Sequence, residues 1–156
     1  MESPSFPLNI SNADQVGIIV KDLDSAILQF KSLLGIEKFE IVEWPKPGMD
    51  PESTYYGRPA KFSMRIGFTQ LGNLQLEVVQ PLDGKSIFRD FLESHGPGLH
   101  HIRFTEKDFD HKTEQLQKAG IQMISSGRGV RSASTWAYFD TTKFLGGIYI
   151  ELRTAI

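Results

Sequence analysis

The stretch Gln15-Val16-Gly17-Ile18-Ile19-Val20-Lys21-Asp22-Leu23-Asp24 decides the fold, because the chain writes its shape twice. Eighty-six residues later comes His101-Ile102-Arg103-Phe104-Thr105-Glu106-Lys107-Asp108-Phe109-Asp110, and both copies end in Lys-Asp-apolar-Asp. Each reads as a strand running into a helix, with Asp22 and Asp108 as N-caps. Leu23, Ala26, Ile27, Phe30, Leu33 and Leu34 then recur at helical spacing; Phe109, Leu116 and Ala119 do so more weakly in the second copy. Glycine before isoleucine ends each helix, at Gly35-Ile36 and Gly120-Ile121.

Strands follow each helix. In the first copy they are expected over 38–44, 62–69 and 73–80, and in the second over 122–125, 135–139 and 147–152. The order is βαβββ, repeated, which predicts an α+β fold of two modules. One module spans 11–82 and the other 98–154, joined by a linking segment, 83–97, that carries a short amphipathic helix. Residues 44–59, rich in proline, tyrosine and charge, interrupt the first module, as a binding loop, a lid, part of a subunit interface or a solvated loop.

Composition narrows the function. The 156 residues are 40% hydrophobic and 23% charged, as in a soluble globular protein with a core. Seventeen Lys and Arg against nineteen Asp and Glu leave a net charge of −2, so no basic excess exists to displace phosphate counterions, and nucleic acid is not expected as a partner. The absence of cysteine excludes disulfides, thiolate metal sites and cysteine nucleophiles. No apolar run is long enough for a membrane helix, and the first dozen residues lack the pattern of a secretory signal. A cytoplasmic protein is expected.

The repeat also aligns polar residues. Gln15 and His101 open the first strand of each copy, and Glu77 and Glu151 sit in the last strand of each, opposite to their aliphatic neighbours. A lone strand glutamate ordinarily faces solvent. If the two sheets pair into one concave face, however, all four side chains converge. Two carboxylates, an imidazole and an amide oxygen suit one six-coordinate divalent ion of the Zn, Co, Ni, Mn or Mg kind. His100, next to His101, is expected to point to the opposite face.

On these residues the chain resembles the vicinal oxygen chelate superfamily (glyoxalase, bleomycin resistance, dioxygenase), and most of all its methylmalonyl-CoA epimerase branch. The resemblance runs from Asp14 to Arg153, and is most specific at Gly98-Leu99-His100-His101-Ile102 after a short helix and at Gly146-Gly147-Ile148-Tyr149-Ile150-Glu151-Leu152. It implies two βαβββ modules forming curled mixed sheets around a metal cavity, a homodimer, and Gln15, Glu77, His101 and Glu151 as the metal ligands. Epimerases of that branch carry histidine where this chain has Gln15; the set found here resembles that of zinc-type glyoxalase I.

The resemblance further implies chemistry at a carbon next to a carbonyl, through an enediolate-like intermediate, with Glu151 as first candidate base and Glu77 as second. The leading reading is a metal-dependent epimerase or isomerase, with an acyl-CoA such as methylmalonyl-CoA as its small-molecule substrate. The alternatives are a glyoxalase-like lyase and a non-catalytic small-molecule binding protein. Ile19 and Pro81 stand where glutathione-using relatives carry an arginine and an asparagine. The strand over 62–69 lacks the second carboxylate that two-base epimerases place there, and offers Arg65 and nearby Gln70 instead. For an anionic substrate the basic candidates include Arg65, Arg128, Arg131 and Lys143. Trp136, Tyr138 and Phe139 read as core or cavity wall.

Overall fold

The computed structural model describes residues 7–10, 12–130 and 133–155. In chain order the elements are β1 (Ala13–Ile19), α1 (Leu23–Leu34), β2 (Glu40–Trp44), β3 (Thr54–Tyr55), β4 (Arg58–Pro59), β5 (Met64–Leu71), β6 (Leu74–Pro81), α2 (Ile87–His95), β7 (Gly98–Glu106), α3 (Phe109–Lys118), β8 (Met123–Arg128), β9 (Thr135–Phe139) and β10 (Tyr149–Thr154). Asp22 caps α1 by accepting from the Ser25 N–H, and Gly35 ends that helix in the left-handed conformation. Asp108 stands at the start of α3, but its side chain makes no cap hydrogen bond, unlike the expectation. The strand segments read from the sequence are present to within a few residues, while the short β3–β4 hairpin inside 44–59 was not foreseen.

Eight strands form one mixed sheet in the order β2-β5-β6-β1-β7-β10-β9-β8. Each half has one parallel pair, β1 with β6 and β7 with β10, and the halves join antiparallel at β1 and β7. The fold is α+β, with the sheet curled into a half-barrel. Alternation sorts the side chains: Ile18, Leu76 and Val78 face α1, and Phe104, Ile150 and Leu152 face α3. The opposite face looks into the barrel, where Trp44, Phe62, Met64 and Ile66 of one half pack with Ile124, Trp136 and Tyr138 of the other.

Residues 44–59 are a strap across the gap between the two edge strands. The Trp44 indole N–H donates to the Arg128 carbonyl at 2.8 Å. The Arg128 N–H donates to the Pro51 carbonyl at 2.9 Å, and the Tyr56 N–H to that of Ile124 at 2.8 Å. Thr54 adds two hydrogen bonds, accepting from the Ser126 N–H and from the Ser125 hydroxyl. These bonds occupy the open edge of β8, which otherwise leaves backbone donors and acceptors unpaired. They also draw the sheet ends together at the Trp44–Trp136 contact (5.6 Å between rings). Among the described residues no helix is long and apolar enough to cross a membrane.

Candidate functional site

Because the sheet curls, the inward face of its central strands is not solvated. Glu77 and Glu151 are only 8% and 4% exposed, and Gln15 and His101 are fully buried. The four come from β6, β10, β1 and β7. His101 Nε2 lies 3.1 Å from Gln15 Oε1, 3.4 Å from Glu77 Oε1 and 3.3 Å from Glu151 Oε1. Glu77 and Glu151 reach the floor of a cavity of about 440 Å³, walled by Trp44, Met64, Phe68 and Trp136. The Tyr138 hydroxyl donates to Glu151 Oε1 at 3.0 Å.

Gly17 makes this packing possible. It pairs with His101 across the β1–β7 junction, and a Cβ on it would sit 1.9 Å from His101 Cε1. Glycine inside a strand marks such close approaches.

The electrostatics follow from burial. Desolvation alone would lower the His101 imidazole, but hydrogen bonds and charge from Glu151 and Glu77 outweigh it and hold it up at about 9. At neutral pH a proton therefore stands at Nε2, between the carboxylates. Burial pushes the Tyr138 phenol well above its ordinary value, helped by the charges of Glu151 and Glu77, so it stays a donor.

Arg103 was not singled out from the sequence, although it lies two residues past His101 and so on the same face. Its Nε donates to Asp14 Oδ1 at 2.7 Å, and Asp14 Oδ2 also accepts from the Thr105 N–H. In register it pairs with Gln15 on one side and Glu151 on the other. Burial works against its charge, while Glu151 and Asp14 favour it and raise its pKa.

The Gln15 amide has two settings. With Oε1 toward His101, its Nε2 donates to Gln75 Oε1 at 2.7 Å. With the amide turned, the nitrogen faces His101 Nε2 at 3.1 Å and Glu151 Oε1 at 3.2 Å, and the oxygen accepts from Arg103 Nη1 at 2.9 Å.

Two carboxylates, an imidazole and, in the first setting, an amide oxygen are donors of the kind a divalent ion takes. Ligands about 2.1 Å from a common centre lie about 3.0 to 3.4 Å apart for right-angled to tetrahedral geometry, which matches the separations around His101 Nε2. In the first setting Gln15 Oε1 and Glu151 Oε1 are two acceptors facing each other, a contact that a shared cation relieves. As the side chains stand, no group of three or more His, Asp or Glu among the described residues is arranged to hold a metal ion.

Other sequence candidates fall elsewhere. Arg65 points to the helix side of β5 and pairs with Asp24 of α1 at 2.8 Å, a correction to its assignment as a substrate group. Arg128 ends β8 and its Nε donates to Glu52 of the strap, and Lys143 is exposed in the turn before β10; neither lines the cavity. Arg131 lies outside the described residues. Phe139 packs toward α3, not the cavity, whereas Trp136 and Tyr138 line it. The inward row of β5 is Met64, Ile66, Phe68 and Gln70, with no acid. The neighbouring β2 puts Glu40 on the cavity wall, in register with Phe68 and, through it, Glu77. Glu40 was missed, though it shares the face of Val42 and Trp44 by simple alternation. His100 is not on the face opposite to His101: the β1–β7 register steps from Gly17↔His101 to Ile18↔Leu99, so His100 occupies a bulge and its ring meets that of His101.

The family model described as Glyoxalase/Bleomycin resistance protein/Dioxygenase superfamily matches residues 14–139. Human mitochondrial methylmalonyl-CoA epimerase is 26% identical over 148 residues, covering 94% of this chain and 76% of that protein. The ethylmalonyl-CoA/methylmalonyl-CoA epimerase of Cereibacter sphaeroides is 28% identical over 119 residues, covering 76% and 78%. Among solved structures, methylmalonyl-CoA epimerase from Mycobacterium tuberculosis superposes with a TM-score of 0.65 at 24% identity, covering 99% of this chain and 96% of that one. A Streptomyces coelicolor methylmalonyl-CoA epimerase variant in complex with 2-nitronate-propionyl-CoA gives a TM-score of 0.66 at 20% identity, covering 94% and 96%.

Proposed function

Starting from the fact that the chain belongs to the glyoxalase/bleomycin resistance protein/dioxygenase superfamily, we propose that it is a metal-dependent epimerase or isomerase acting at the carbon next to an acyl-CoA carbonyl. The observation that carries the reading is the meeting of Gln15, Glu77, His101 and Glu151 from four strands, with Glu77 and Glu151 reaching the floor of one cavity. The relatives named as methylmalonyl-CoA epimerases support the substrate class.

Gln15, Glu77, His101 and Glu151 would hold the divalent ion. Its chemistry there is that of a Lewis acid, spreading the charge that develops when the α-proton leaves. The residues supply the rest. Glu151 on β10 takes the α-proton, steadied by the Tyr138 hydroxyl. Glu77 reaches the floor from β6, in the other half of the sheet, which suits return of a proton to the opposite face of the planar enolate. Glu77 and Glu151 would thus each be both a holder of the ion and a candidate base. The cavity wall combines apolar Trp44, Met64, Phe68 and Trp136 with polar Glu40, Gln75 and Arg103, so it can take an acyl group that carries a charge. The cavity is of a size for the acyl portion, leaving the nucleotide of the coenzyme outside.

The missing acid on the inward face of β5 favours a second reading, a lyase of the glyoxalase kind in which one carboxylate both removes and returns the proton. Ile19 and Pro81 argue against glutathione as its thiol.

The test is exchange of the α-hydrogen of methylmalonyl-CoA in D2O, followed by NMR with protein loaded with Zn, Co, Ni, Mn or Mg. Exchange is expected with at least one ion, and Glu151→Gln should slow it about 10²–10⁴-fold. No exchange with any of them contradicts the epimerase reading and leaves ligand binding as the function to screen.

A further inference from the structure

We infer that His100 is a positioning residue that decides which ring nitrogen His101 presents to the four-strand site. Strand alternation would put the two rings on opposite faces, but the bulge at His100 brings them together, with Nδ1 of one 2.9 Å from Nδ1 of the other and the rings perpendicular. Between two such nitrogens one carries the hydrogen and the other accepts it.

The surroundings of His100 decide which. Its ring is fully buried, stacked on Tyr149 at 4.8 Å and set perpendicular to Phe91 at 5.0 Å, with Phe88 at 5.4 Å. Its Nε2 has no hydrogen-bond partner among the described residues. An N–H is tolerated among aromatic rings, because their faces are negative and accept it weakly. A bare lone pair finds no donor there. His100 therefore carries its hydrogen on Nε2 and accepts at Nδ1. His101 must then donate from Nδ1, which leaves Nε2, facing Gln15, Glu77 and Glu151, as the nitrogen that can give up its proton where a cation would sit.

The opposite arrangement, with hydrogen on His100 Nδ1, would fix an N–H on His101 Nε2 and bar a cation. Metal-binding histidines are held in this way by an acceptor on the far nitrogen, and loss of that partner costs about 10- to 100-fold in affinity. Here the acceptor is another histidine, delivered by a bulge.

The inference rests on the cation reading only for its consequence, so two measurements separate them. Long-range ¹⁵N–¹H NMR on metal-free, ¹⁵N-labelled protein should show His100 with hydrogen on Nε2 and none on Nδ1. Hydrogen on Nδ1 overturns the inference whether or not a metal binds. In titration with Co²⁺, His100→Leu should bind about 10- to 100-fold more weakly than wild type. His100→Asn, whose Oδ1 stands where Nδ1 does, should recover most of the loss. A His100→Leu protein that binds Co²⁺ as wild type does, or no recovery with Asn, overturns it. Failure of every form to bind Co²⁺ or Zn²⁺ would refute the cation reading, while the NMR result still decides the histidine pair.

Discussion

Replacing Gly17 by alanine adds one methyl group at the most crowded contact in the site. That Cβ would lie 1.9, 2.3 and 2.4 Å from three atoms of the His101 ring. Carbon–carbon contacts are comfortable at about 3.5 Å or more, so the ring must retreat by about 1.5 Å. It cannot retreat freely, being fully buried with the Tyr138 ring centroid 4.9 Å away and His100 bonded at its far nitrogen. Overpacking of this kind costs about 1–3 kcal/mol, and for a chain of this size each kcal/mol lowers Tm by about 2–4 °C. A displacement beyond 1 Å also takes Nε2 out of register with the carboxylates, and misplacement on that scale costs on the order of 10²-fold in turnover.

Gly67→Ala is the matched control. It places a Cβ 3.2–3.4 Å from flexible side chains of Ile27, Leu23 and Phe39 on the helix side of the sheet. The assay is thermal unfolding together with Zn²⁺ titration of both variants. Gly17→Ala should lose several degrees and at least about tenfold in affinity, and Gly67→Ala should bind as wild type does. Wild-type binding by Gly17→Ala, or equal losses in the two, would refute the packing argument.

Metal binding should depend on pH through His101. The proton and the ion compete for Nε2, so with the imidazole held at about 9, affinity falls about tenfold per unit as pH drops from 9 toward 6 and is flat above 9; calorimetry in buffers of different ionisation enthalpy should detect one proton released at pH 7. The sign for stability is opposite. In metal-free protein the raised His101 contributes fully below the ordinary histidine value of 6.5 and the contribution is lost as pH rises through about 9, which denaturant titration at pH 6 and 10 checks. Arg103→Met should tighten Co²⁺ binding, since a buried cation leaves the site, while destabilising the metal-free protein by about 1–3 kcal/mol as Asp14 and Glu151 lose a hydrogen-bonding counter-charge; weaker Co²⁺ binding would contradict this. Trp44→Phe removes the bond to the Arg128 carbonyl and should lower Tm by about 2–8 °C while speeding proteolytic cleavage within 44–59.

How much of this was legible without coordinates depends on the range of the interactions. The repeated strand–helix unit is written locally, in the Asp22 cap, the Gly35 stop and the alternation of Leu74 to Val79, so the α+β order is readable from sequence. Alternation also put Gln15, Glu77, His101 and Glu151 on equivalent faces, but whether those faces met water or each other depended on the curl. The curl is held by bonds such as Arg128 to Pro51 and Tyr56 to Ile124, which join residues far apart in the chain and leave no periodic trace. His100 defied alternation because a bulge is a property of two strands in register, not of one. Arg103 and Glu40 were readable by the same period-two rule that found Glu77, had it been carried two residues past His101 and four residues back from Trp44. Arg65 illustrates the reverse: a charge in a strand has an even chance of either face, and this one pairs with Asp24 on the helix layer.

The most direct test of the four-strand site is the divalent metal content of protein purified without chelator, measured beside a Glu77→Ala/Glu151→Ala double variant whose folding is checked by circular dichroism. Near one ion per chain in the wild type, absent from the folded variant, is the predicted result. A wild type without metal that takes up none of manganese, cobalt, nickel or zinc on dialysis, or a double variant that keeps its ion, would contradict it.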